Sequence, residues 1–156
     1  MTRQSKQLAG ALLIIMTTVI FGGVSILTLL INDPKYVNNP VRQDLWRAGH
    51  AHAAVLLVLS LVALRYVDET RLSYSLTWIA RLAIPTAAIL VPAGFFLSVL
   101  SSDAQDPNAL IYLTYAGAAV LSCGLVLLGI GLLRAKDPAW TGGEKGQKDK
   151  ARRNED

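Results

Sequence analysis

Charge is scarce in this sequence. Only 17% of its 156 residues are Asp, Glu, Lys or Arg, against about a quarter in an ordinary soluble domain. A single cysteine, Cys123, excludes an internal disulfide and any thiolate metal cluster built from one chain. The expected role for that thiol is a small, buried, apolar residue. His50 and His52 are the only histidines, so imidazole chemistry is confined to one short stretch. No Gly-rich phosphate loop, zinc-protease histidine pair or nucleophile elbow occurs. An enzyme is therefore the less favoured class. Its one candidate acid/base pair is His50 with Asp44 or Asp33, acting on lipid.

Hydrophobic residues make up 53% of the chain, and the mean hydropathy is +0.41. They fall in four runs, including "LAGALLIIMTTVIFGGVSILTLLI" and "ALIYLTYAGAAVLSCGLVLLGIGLL". A hydrocarbon core of about 30 Å needs roughly 20 apolar residues in a helix. The runs predict spans over about 8–31, 46–66, 79–100 and 109–133. Trp46 and Tyr66 flank the second and suit the membrane interface. In lipid every backbone group must be bonded internally, and the runs lack the alternation of a barrel strand. The fold class expected is all-α, a four-helix transmembrane bundle. The first run is longer than a signal-peptide core and lacks an A-x-A site, so it reads as a retained anchor.

Four spans put both termini on one side. That side holds every Lys and Arg except Lys35, Arg42 and Arg47. The bias predicts cytoplasmic termini and a multi-pass protein of the cell's inner membrane. Net charge +4 is thus a topology signal and gives no reason to expect nucleic acid. Residues 1–7 form an expected cytoplasmic segment. Residues 136–156, "TGGEKGQKDKARRNED" among them, form an expected disordered tail with nothing to bury.

Within 8–135, punctuation residues are informative. Asn39 before Pro40 predicts a helix start, and a helix running to about Tyr66. Asp44 and Arg47, three apart, are spaced to pair on its surface. Pro85 and Pro92 predict a kink in the third span. Gly117, Gly124 and Gly131 recur at seven-residue spacing and predict a packing seam, internal or between protomers. Expected partners are the lipid bilayer and other membrane subunits or further copies of the chain.

The segment "RAGHAHAAVLLVLSLV" places Arg47, His50 and His52 at the mouth of an apolar helix. Residues two apart on a helix point about 200° apart, so the pair is unable to chelate one metal from one regular helix. Each imidazole then hydrogen-bonds a different neighbour, with Tyr36, Thr28 and Tyr112 as candidates, or ligates a cofactor. Ionisable groups inside spans are functional candidates by default. This segment, residues 47–62, resembles the haem-ligand helix of haem–copper oxidase main subunits. The resemblance implies His50 or His52 as an axial haem ligand, with Arg47 beside a propionate. The family's second axial histidine and copper site have no counterpart here, so no oxidase activity is implied. Over its length the chain resembles small bacterial four-span integral membrane proteins, which implies a fold and no activity. The function expected is a non-enzymatic accessory protein or complex subunit, with haem as the cofactor to test. The alternative is an oligomeric transporter or channel, or a pH-sensing proton relay. Span polar groups for such a path are few: Thr17, Thr18, Ser25, Ser60, Thr86, Thr114 and Ser122.

Overall fold

The computed structural model describes residues 1–135; the charged tail expected over 136–156 lies outside them. Among the described residues all regular structure is helical. Helix α1 is Arg3–Asn32, the short α2 Pro34–Val37, α3 Pro40–Val67, α4 Tyr74–Ser98 and α5 Tyr112–Leu133, entered through a 3-10 turn at Ala109–Ile111. Helices α1, α3, α4 and α5 with its leading turn are long and apolar enough to cross a membrane.

Capping sets where these helices start. The α3 start is the one its sequence suggests. Asn39 accepts a hydrogen bond from the Arg42 amide at 3.0 Å, and Pro40 takes the first helical position. At 28 residues, α3 is about 42 Å long at 1.5 Å per residue, more than the hydrocarbon core needs. Helix α1 begins ahead of its apolar run because Thr2 Oγ1 accepts from the Ser5 amide at 3.3 Å. Residues 3–7 are therefore the first, polar turns of the helix.

The packing is uneven. Helix α4 lies between α3 and α5 along its length, while α1 packs mainly on α3. Leu56, Leu64, Ile84, Val91 and Leu128 join these helices in one core. The edge helices α1 and α5 are the more apolar, and the inner pair α3 and α4 the more buried. That ordering suits a chain whose outer surface meets lipid.

The glycine seam is internal. A Cβ on Gly117 would lie 2.7 Å from Val91 Cγ2, and one on Gly124 would strike Ala83 Cβ. These two positions let the α5 backbone lie directly on α4. Gly131 meets Thr70 and Leu72, in the α3–α4 connection. Gly94 answers from α4, where a Cβ would strike Thr114. Pro85 and Pro92 are both buried within α4. Cys123 is exposed, contrary to its expected burial. Gly124 faces α4, and the neighbouring residue, about 100° around the helix, turns outward.

Thr2 bonds to Asp68 at the C-cap of α3, and Gly131 abuts the connection that follows. Both ends of the described chain thus lie on one face, the terminal face. Helix α2 and residues 99–108 form the opposite face, bridged by Lys35 and Asp103 at 3.8 Å.

Candidate functional site

Helix α3 carries His50 and His52 on different sides, as their spacing requires. His50 turns toward α1. Its ring rests on Gly23, where a Cβ would come within 3.0 Å of Cε1 and 3.1 Å of Nε2. His52 is exposed and turns toward α4, its ring 5.2 Å from that of Phe95. Its Nδ1 lies 2.7 Å from the Ala48 carbonyl, one turn back, so Nδ1 carries the proton and donates. Neither ring reaches Tyr36, Thr28 or Tyr112 through a hydrogen bond among the described residues.

Arg47 has a different partner from the one its spacing suggests. It is exposed and donates through Nη2 to Gln43 Oε1 at 2.8 Å. Asp44 forms no ion pair with it, and Asp103 pairs with Lys35. The i,i−4 glutamine lies along the helix axis, where the long arginine side chain extends, and so displaces the i,i−3 aspartate.

These geometries bear on haem. A single-chain site would need a ring nitrogen free for iron and Arg47 near the same porphyrin. His50 turns toward α1, His52 toward α4, and Arg47 is tied to Gln43. The three residues do not converge, and the arrangement does not fit a haem held within one chain.

What His50 does line is a groove between α1 and α3 of about 490 Å³. Met16, Val19 and Gly23 form one wall at helical spacing. Ala54 and Val58 continue the other wall beneath His50 at i+4 and i+8. His50 is half-buried there and joins none of the hydrogen bonds among the described residues. It is the one ionisable side chain on the groove.

Two polar clusters escaped the sequence reading. On the loop face Arg42 is only 7% exposed and has no carboxylate beside it. It donates through Nε to the Val99 carbonyl at 3.3 Å and through Nη2 to that of Leu100 at 3.4 Å. These are unpaired carbonyls at the C-terminus of α4, where a cation is favoured. The guanidinium also lies over the Trp46 ring, 4.4 Å from its centroid. Tyr36, fully buried, stacks obliquely on Trp46 at 5.8 Å. Burial pushes the Tyr36 hydroxyl above its ordinary value, against the pull of Arg47 and Arg42. Asn39 fastens the same corner by donating to the Ala104 carbonyl at 2.8 Å.

On the terminal face Asp68, at the end of α3, gathers donors from two helices, α1 and α4. The Thr2 amide reaches it at 2.6 Å, Ser5 Oγ at 3.0 Å and Arg81 Nη2 at 3.0 Å. Arg81 also donates through Nε to Ser5 Oγ at 3.2 Å and lies over Trp78. The acidic member follows α3 and the basic member sits inside α4, so no short motif marks the pair.

All but one of the hydroxyls expected to serve a conduction path are already used, the exception being Thr86. Thr17, Thr18, Ser25, Ser60 and Ser122 each donate to a carbonyl of their own helix, and Thr114 donates to that of Val91. Among the described residues no three His, Cys, Asp or Glu side chains come together as a metal site would need. No protein-family model, curated protein or solved structure matches the chain.

Proposed function

We propose that this chain is an integral protein of the bacterial inner membrane, with both termini cytoplasmic, that works as an accessory or complex subunit without turnover of its own. The carrying observation is the state of α1. Its N-terminal end is fastened by polar contacts, yet 0% of its most apolar 18-residue window is buried by the rest of the chain. Ile14, Ile20 and Phe21 stand outward from it. A helix held in place but left uncovered offers a wall to a second membrane chain. The basic residues concentrated toward the terminal face support the cytoplasmic placement.

A photo-crosslinking residue at Phe21 tests this in intact membranes. The expected product is one defined protein adduct, identified by mass spectrometry, with none from the same residue at Ile89 on α4. Lipid adducts alone at both sites, together with a single 16.8 kDa species in native mass spectrometry, would end the reading. A fluorescent reporter that matures only in the cytoplasm, fused at the C-terminus, should be bright. A dark, stable fusion would reverse the orientation.

A further inference from the structure

We propose that the groove between α1 and α3 binds one membrane-soluble molecule with an apolar tail and an uncharged oxygen head group, hydrogen-bonded to His50. This concerns a small-molecule site and stands apart from the subunit reading above.

The groove defines the tail. Met16, Val19, Ala54 and Val58 offer only apolar surface, and a space of about 490 Å³ fits the size of ordinary small-molecule sites, about 300–1,000 Å³. The imidazole defines the head. In hydrocarbon an unpartnered polar group is costly, and His50 finds no partner among the described residues. A neutral imidazole offers one donor and one acceptor, which suits a carbonyl or hydroxyl oxygen. Charge in the head group would have no counter-ion, because Arg47 is turned to Gln43 and no carboxylate lines the groove. Ala54 and Val58 carry the apolar wall inward from His50, which gives the tail a direction. A quinone carbonyl and a glycerolipid ester share this chemistry.

Fluorescence quenching by a decyl-substituted 1,4-benzoquinone, with the full chain in phospholipid nanodiscs, separates the outcomes. Trp46, about one helical turn from His50, is the reporter, with Trp78 and Trp140 replaced by Phe in every variant. Saturable quenching is expected for the wild type. Ala54→Phe fills the groove and should weaken binding at least tenfold; Val58→Phe is the second filling variant should the first fail to fold. His50→Leu should weaken it about fivefold to tenfold, the worth of one hydrogen bond. His52→Leu should leave it unchanged. If the natural occupant is an uncharged glycerolipid, native mass spectrometry will instead show one diacylglycerol retained by the wild type and His52→Leu, and lost from Ala54→Phe and His50→Leu. Linear, non-saturating quenching in every variant with no retained lipid means annular partition only and overturns the proposal. Binding that responds to the filling variants but not to His50→Leu overturns the head-group assignment.

Discussion

Arg81 reaches Asp68 across the α3–α4 connection, Nη2 to Oδ1 at 3.0 Å, with side chains only 4% and 8% exposed. Such a pair costs much to remove by halves. Asp68→Ala would leave a buried guanidinium with only Ser5 and Gln4 as hydrogen-bond partners, at a cost of about 3 kcal/mol or more. The expected result is a clear fall in the thermal midpoint in detergent. Asp68→Leu combined with Arg81→Leu should recover most of it, since no charge is then stranded. A double variant as unstable as the single one would show that the pair contributes more than it costs to bury.

Acid should undo the same contact. Burial alone would raise the Asp68 carboxyl, but hydrogen bonds from the Thr2 amide, Ser5, Arg81 and the Thr2 hydroxyl together hold it below the usual carboxylate value. A group with a depressed folded value contributes stability that is fully present above its unfolded value, about 3.9, and is lost as pH falls through the folded one. Stability from this group should therefore be flat between pH 7 and 5 and decline below about pH 4. Comparing acid unfolding of the wild type with that of Asp68→Asn checks this. An equal decline in both would place the acid sensitivity elsewhere.

Glycines on one helix should differ sharply in tolerance. Gly124→Val drives a branched side chain into Ala83 and is expected to cost about 1–3 kcal/mol by overpacking, or to part α5 from α4. Gly129→Val meets nothing within 4 Å and should be close to neutral. Thermal midpoints of the two variants decide the matter; equal losses would mean that the α4–α5 contact is looser than described.

Tyr36 separates ring from hydroxyl. The side chain is fully buried, while its hydroxyl finds no protein partner among the described residues. Tyr36→Phe should leave the midpoint unchanged or raise it. Tyr36→Ala should cost about 3–5 kcal/mol, as removal of a buried aromatic does. A large loss in Tyr36→Phe would reveal a partner for the hydroxyl.

Much of this architecture is readable from residue order. Apolar run lengths give the four spans, and Asn39–Pro40 gives the start of α3 to the residue. The recurrence of Gly117 and Gly124 gives a seam, though only the fold shows that Ala83 and Val91 fill it. The polar clusters are less legible because their members meet across loops. Nothing in the thirteen-residue separation of Asp68 and Arg81 says that the connection folds back to join them. Arg42 is satisfied by backbone carbonyls, which carry no side-chain signal in a sequence. For His50 the pattern gives the side of the helix, while the neighbour, Gly23 of α1, depends on which helices become adjacent.

The fastening of α1 also sets an order of events during synthesis. Thr2 and Asp68 are separated by 66 residues, and Gln4 and Arg81 by 77. Chains are translated from the N-terminus at about 5–20 residues per second, so α1 is finished several seconds before its latch exists. Its main lateral neighbour, α3, is also still unmade. On the membrane reading proposed above, helix α1 enters the bilayer and waits there on its own apolarity. Only when Arg81 of α4 has been translated can it and Asp68 close on Thr2 and Ser5, so the first helix made is fastened only once the third span is being made.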